Sequence, residues 1–540
     1  EAEPHSCDAV DQDAPPCGCG GWRPVGQPST SRSPAISTRG MAATAHPKAT
    51  QAALSLLESG GSAMDAALAA NAVLSVVEPM MCGPGGDVMA MVWSEAEHKL
   101  HGYNGAGRSP KSLTWEKLQG LLEGDWLPAG GPLSVTVPGA VKGWCDLHRG
   151  FGKVSMAEVL APAIEVAEQG FPVTPVIADI WKLDVSEDDV TSGGAYPNAT
   201  AGFFQIYGKA DDAGATRMPK VGEVMRNEAM ANTFRRLSEP SGCDDFYAEG
   251  GTLAKSIEAA RQVSGLLIDT QDVVEHHGEW VEPVSVTYRD DYEVFQLPPN
   301  PQGVAALQML NMLENYNLSA MGFNSAEYLH VHAEVKKLAF ADASAFYGDP
   351  DFNQDIYPDI VASLLSKAYA KERIQEIDEN AKNVVDPGEP AGAREGSPFS
   401  MEELAGADTT YITAADADGN MVSLIQSVFM HFGSGIVLPD LGFALQNRGS
   451  LFNKKRNHPN AYAPGKRPFQ TIMPGFIKKH GEPFMAFGVM GGFMQPQGQV
   501  QIVCNMVDFG FGIQEAGDVA RYFHDGSTSP RGDFVMSDGG

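Results

Sequence analysis

The sequence predicts an α+β protein, and three observations carry that. Two long stretches, Ala63 to Val77 and Ala326 to Phe346, read as helices. Strand-like runs recur late in the chain, at Gly475 to Lys479 and Pro483 to Val489. Between 408 and 427, two β-rich flanks surround an Asp-Gly turn, which is a hairpin signature.

Residues 1–38 are rich in Pro, Ser, Gly and Cys without an apolar period, and read as a tail. His46 to Glu58 reads as a helix whose apolar face is Ala52, Leu54, Leu56 and Leu57. Gly60-Gly61 stops it, and Ser62 caps the helix from Ala63 to Val77, which is too short to span a bilayer. Next comes Cys82-Gly83-Pro84-Gly85-Gly86-Asp87, a Gly-rich turn before a strand at Met89 to Trp93. It lacks the Lys-Ser/Thr of a phosphate loop. Thr136 to Val141 reads as a strand and turn feeding a helix at Lys142 to His148. Met156 to Glu168 is a helix stopped by Gly170 and Pro172, and 180–225 reads as polar surface loops. Helices are expected at Asn227 to Leu237 and Thr252 to Val263, and a strand at Val284 to Leu297. Pro298 to Gly303 is a rigid turn before a helix at Val304 to Glu314. His330, His332 and Glu334 fall at i, i+2 and i+4, which puts the two His on different faces. No metal site is expected there or at His276-His277. Residues 373–408 are charged and rich in Glu, Gly and Pro, and read as an exposed linker. Beyond the hairpin, loops at Gly433 to Gly435, a strand near Leu445 to Arg448, a Gly turn at Met490 to Met494 and a helix at Gln497 to Met506 are expected. Gln514 to Ala520 reads as a helical start.

Composition bounds the function. The 540 residues carry a formal net charge of −30, which argues against nucleic acid and anionic membrane as partners. No run of eighteen apolar residues predicts a membrane span. The chain starts at Glu1 and reads as processed or cut, with a carboxyl end at Gly540 that looks short. Three of its seven cysteines, Cys7, Cys17 and Cys19, crowd the tail, where disulfides are an option. Together with sequons at Asn198 and Asn317, they tilt the expected compartment toward secretion.

The chemistry concentrates at Asp408-Thr409. If the hairpin loop is Ala417 to Gly419, pairing is symmetric about Asp418 and sets Thr409 opposite Ser427. Cutting the Asp408-Thr409 bond frees an α-amine beside the Thr409 hydroxyl. An amine so placed supplies the base that a hydroxyl nucleophile lacks near neutral pH.

Fragments in shared order then reveal a resemblance. They include Gly61 with Asp65-Ala66, Gly83-Pro84-Gly85-Gly86, Pro138-Gly139, Gly170-Phe171-Pro172 and Leu338 to Asp342 with Gly348-Asp349-Pro350. They continue through Thr409-Thr410, Asp418-Gly419-Asn420, Gly433-Ser434-Gly435, Arg467-Pro468 and Gly491-Gly492. Over about 38–521 the chain resembles the γ-glutamyltranspeptidase family of amino-terminal-nucleophile hydrolases. The resemblance implies a four-layer αββα sandwich from one self-cleaving precursor. It implies a large chain at 39–408, a small chain at 409–540, and an acyl-enzyme on Thr409. By analogy Gly491 and Gly492 form the oxyanion hole and Ser427 positions Thr409. No cofactor is implied; the substrate is a small-molecule amide or peptide.

The departures concern the acyl pocket. The Arg that holds the γ-glutamyl α-carboxylate in glutathione-type members corresponds to Ala106, with Arg108 two residues on. The Asp that holds the α-amine falls on Leu451, a family Asn becomes Phe429, and a Ser-Ser pair becomes Gln470-Thr471. The pattern is closer to the acylase-like subgroup, with Arg108, Asn447, Arg448, Gln470 and Thr471 as candidate substrate-binding residues. A true γ-glutamyltransferase or glutathione hydrolase, a cephalosporin or glutaryl acylase, and a non-catalytic binding relative stand as alternatives.

Overall fold

Two antiparallel sheets lie face to face with helices on both outer sides. The computed structural model describes residues 32–122, 127–184, 201–210, 214, 216–353, 357–382, 385–393, 407–525 and 534–536. The sheet strands in chain order are β1 (Gly40–Ala43), β2 (Asp87–Ser94), β3 (Lys99–Gly105), β4 (Glu279–Val281) and β5 (Val284–Tyr288). They continue with β6 (Tyr292–Gln296), β7 (Ala407–Asp416), β8 (Met421–Met430), β9 (Gly475–Lys479) and β10 (Glu482–Phe487). The larger sheet runs β1-β7-β8-β2-β3-β4, and the smaller runs β10-β9-β6-β5.

The layers follow from side-chain alternation. A strand sends successive residues to opposite faces. Along β2, Val88, Ala90 and Val92 pack into a core shared with helices α1 (Pro47–Glu58), α2 (Ala63–Val77), α3 (Ala140–Phe151) and α4 (Met156–Gln169). Met89, Met91 and Trp93 point the other way, into a seam with Phe295, Phe476 and Ala486 of the smaller sheet. That sheet's outer face, with Val286, Val294 and Ile477, meets α5 (Gly303–Leu313), α6 (Ala326–Phe346) and α7 (Met494–Val507). This is the αββα sandwich the resemblance implied.

Helix starts follow local chemistry. Ser62 accepts from the Asp65 N–H while the Asp65 carboxylate accepts from the Ser62 N–H, a capping box that sets the first residue of α2. His46 lies outside α1 as its cap.

Five expectations change. Val284 to Leu297 is two strands, parted by a turn in which Arg289 and Asp290 take φ of 51° and 62° without any Gly to announce it. Thr136 and Val137 form no strand; the Val137 N–H donates to the Arg108 carbonyl instead. The 180–225 stretch is not all loop: the helix Pro175–Asp184 runs into it and another spans Ala201–Tyr207. The short strand is Phe443–Ala444, and Arg448–Leu451 is a 3-10 turn. The expected linker is partly tied down. Arg373 and the Gly388 N–H both reach the buried Asp342, at 3.4 and 2.8 Å.

A disulfide joins Cys145 on α3 to Cys243, while Cys82 and Cys504 are free and buried. Cys7, Cys17, Cys19 and Asn198 lie outside the described residues; Asn317 is exposed and caps a short helix. No helix among the described residues is long and apolar enough to cross a membrane.

Candidate active site

The hairpin keeps the register read from the sequence, then breaks it at Thr409. Ala415 pairs with Met421 and Thr410 with Gln426, both symmetric about Asp418. The loop is Ala417 to Gly419. Asp416 and Asn420 close it through a 3.1 Å backbone bond, and Gly419 takes φ 92°. Below Thr410 the ladder slips, so that Asp408 pairs with Phe429. Thr409 alone therefore opposes Ser427 and Val428. The extra residue of the bulge is on β8: Val428 leaves the ladder and bonds to Met81 and Asn447 instead, which bends β8 beside Thr409. Thr409 is buried, and its hydroxyl accepts a long 3.4 Å bond from Gln495 Nε2, in the first turn of α7.

Glycines bring the rest of the chain against this hairpin. A Cβ on Gly86 would stand 2.3 Å from the Ser427 carbonyl oxygen, so only glycine lets the turn before β2 pack there. β2 then pairs with β8, and Asp87 lies opposite Ser427. The Asp87 carboxylate accepts from the Gly107 N–H at 2.9 Å, Gln446 Nε2 at 2.8 Å and Gln470 Nε2 at 2.5 Å. Burial pushes its carboxyl up, to about 6, against the pull of Arg448 and these donors.

Arg448 is fully buried. Its Nη2 donates to Ser427 Oγ at 3.0 Å and its Nη1 to Thr471 Oγ1 at 2.8 Å. Its guanidinium carbon lies 4.4 Å over the Phe429 ring, and its Nε has no partner among the described residues. Among the described residues no carboxylate comes within 4.0 Å of it. Burial pulls the guanidinium down, to about 9, with the more distant Asp87 opposing. Phe429 itself sits at φ 81°, and its N–H donates to Ser427 Oγ at 2.7 Å.

Gly491 and Gly492, at φ 105° and 53°, form the turn before α7. The Gly492 carbonyl is held by Gln302 Nε2 at 2.9 Å, and the same nitrogen reaches the Thr471 carbonyl at 2.6 Å. The positive end of α7 thus faces the region of Thr409.

The structure brings Thr409, Ser427, Arg448, Thr471 and Gln470 into one connected group. Asn447 borders it with its amide already used, donating to the Ala129 carbonyl and accepting from the Met430 N–H. Arg108 is held in a separate ion-pair cluster with Glu279 and Asp351. The Asp408 side chain lies outside the described residues. Sequence reasoning missed Gln446 and Gln495, and read Asp87 only as the end of a turn. All three reach the group through tertiary contact, and no local spacing signals that.

The model of the Gamma-glutamyltranspeptidase family matches residues 49–531. The chain belongs to that family. It is 38% identical to the glutathione hydrolase-like YwrD proenzyme of Bacillus subtilis (strain 168), over 89% of this chain and 84% of that one. It is 33% identical to the acylase ACY 1 proenzyme of Pseudomonas sp. (strain SE83), over 92% and 84%. The crystal structure of cephalosporin acylase from Bacillus halodurans superposes with a TM-score of 0.80 at 40% identity, covering 94% of this chain and 88% of that one. This γ-glutamyltranspeptidase family member is an enzyme, a self-processing amino-terminal-nucleophile amide hydrolase or acyltransferase. It acts as a heavy and a light chain that stay together.

Proposed function

We propose that this enzyme hydrolyses amides whose acyl group carries a carboxylate but no α-amine, through an acyl-enzyme on Thr409. The observation that carries this is Arg448, a buried cation beside Ser427 with no carboxylate in contact among the described residues. Burying an unpaired charge costs several kcal/mol, and an arriving carboxylate offsets that cost. The position matched to the amine-binding Asp is Leu451, buried in an apolar core, where a substrate amine would go unpaired. Ala106, at the matched Arg position, is likewise buried and apolar. The likeness to proteins named as acylases supports the same class.

Scission between Asp408 and Thr409 yields chains ending at 408 and starting at 409. The Thr409 hydroxyl then attacks the amide carbonyl while its own α-amine takes the proton. The N–H groups of Gly491 and Gly492 receive the oxyanion, and the protonated amine leaves. Water then attacks the ester, again through the α-amine, and frees the acid. Ser427 orients Thr409. Arg448, Gln470 and Thr471 line the acyl side; Asn447 is reduced to scaffold, and Arg108 is left out because Glu279 and Asp351 hold it. The Cys145–Cys243 bond supports an oxidising compartment.

Succinyl, glutaryl and γ-glutamyl p-nitroanilides separate the readings. The first two should turn over well and the third poorly. Preferred turnover of the γ-glutamyl compound refutes the assignment. Thr409→Ala should abolish both the new amino terminus and turnover.

A further inference from the structure

Arg448 is joined to the proposed nucleophile's neighbourhood through Ser427, the residue opposite Thr409. Ser427 accepts a 3.0 Å hydrogen bond from the arginine, and Phe429, which pairs with the preceding Asp408, meets it by ring contact at 4.4 Å. Once the Asp408-Thr409 bond is cut, a new α-amine occupies the same buried corner. An ordinary α-amine titrates at about 7.7–8.0, so at neutral pH most of it would be protonated and useless as a base.

We propose that Arg448 is a positioning residue for general-base catalysis: its fixed charge disfavours a second cation beside it and holds the Thr409 α-amine in its neutral, proton-accepting form. This rests on the reading that Thr409 becomes an amino terminus. A nearby like charge in a water-poor site is one of the established ways to activate an amine.

The surrounding elements leave the arginine's field largely intact. β2 brings Asp87, the countercharge that acts on Arg448 among the described residues, and Glu78 caps the end of α2, where its charge acts on Cys82. The Gly107 N–H, Gln446 and Gln470 pin the Asp87 carboxylate beyond ion-pair contact with Arg448. β8 brings Gln426, Ser427 and Phe429, and α7 brings Gln495, none of them charged. Cys82, which meets Thr410, has its thiol pushed up to about 12 by burial and stays neutral. Bound substrate carboxylate would then cancel part of the Arg448 charge and strengthen the amine as a base within the complex.

The test is the pH dependence of kcat/KM, which reports the free enzyme. It is measured with glutaryl p-nitroanilide and with an uncharged butyryl p-nitroanilide. Arg448→Gln should move the acid limb up by about one pH unit on both substrates. Arg448→Lys should leave the limb near its wild-type place, and Asp87→Asn should move it down. An Arg448→Gln limb that stays put overturns the proposal, and so does a limb that vanishes in Asp87→Asn. Carbamylation of the Thr409 amine by cyanate gives a second readout on unmutated enzyme. Half-maximal rate well below the ordinary range of about 7.7–8.0 supports the proposal, and a value in that range overturns it. The substrate reading fails separately: it falls if Arg448→Gln moves the limb but raises KM no more for the glutaryl than for the butyryl compound.

Discussion

Two arginines on one stretch of chain are both buried, and their surroundings are opposite. Arg467 donates to Asp349 at 3.1 and 2.7 Å and to Glu279 at 2.6 Å, and approaches Asp351 at 3.0 Å. Burial alone would lower its pKa, but Asp349 and its neighbours outweigh that and raise it. Arg448 has two hydroxyls, an aromatic ring and no touching carboxylate among the described residues, and its guanidinium is pulled down to about 9. A buried cation with a full set of anions fixes geometry. One without them has been left available to something that arrives.

The largest effect should come from breaking the paired one. Arg467→Met strands the buried Asp349 and leaves Glu279 with only Arg108 of its two arginines, so unfolding free energy should fall by about 3–5 kcal/mol, read from urea midpoints. Arg448→Gln should reverse the pattern: stability unchanged or slightly raised, and kcat/KM for the glutaryl anilide down by about a hundredfold or more. Equal destabilisation by the two would erase the distinction and make Arg448 a structural residue. Gln495→Ala should cost less, about five- to tenfold in kcat, since its bond to Thr409 is single and long. A loss in KM alone would place Gln495 on the substrate instead.

What was legible in the sequence was what local chemistry writes. Ser62 announced α2, and Gly419 announced the turn whose symmetry sets Thr410 opposite Gln426. The bulge was not legible, because a slipped ladder needs no special residue: Phe429 holds φ 81° without being glycine. Asp87, Gln446, Arg448 and Gln470 were legible only as types. Their meeting depends on the Pro298 to Gly303 turn, where the Asn300 carbonyl takes the Gln470 N–H at 3.1 Å and Gln302 returns its own N–H to the Gln470 carbonyl at 3.0 Å. Such clamps join segments far apart in the chain, and periodicity carries no trace of them.

The smallest effect separates the two regions by the sign of their proton linkage. Burial would raise the Glu279 carboxyl, but Arg467 and Arg108 outweigh it and hold it below its usual range. The unfolded chain then binds that proton more readily than the folded one. The stabilisation is complete above the ordinary Glu value of about 4.3 and is lost as pH falls through the lowered one. Asp87 is the reverse, with a folded value pushed up to about 6. Its contribution is present below the ordinary Asp value of about 3.9 and is lost as pH rises through 6. Urea midpoints measured from pH 3 to 8 should show both. Relative to wild type, Glu279→Gln should lose less stability on acidification below about pH 4.3. Asp87→Asn should lose less as the pH climbs toward neutrality. Parallel difference curves for the two variants would mean that Asp87 is tied to Arg448 as tightly as Glu279 is to Arg467.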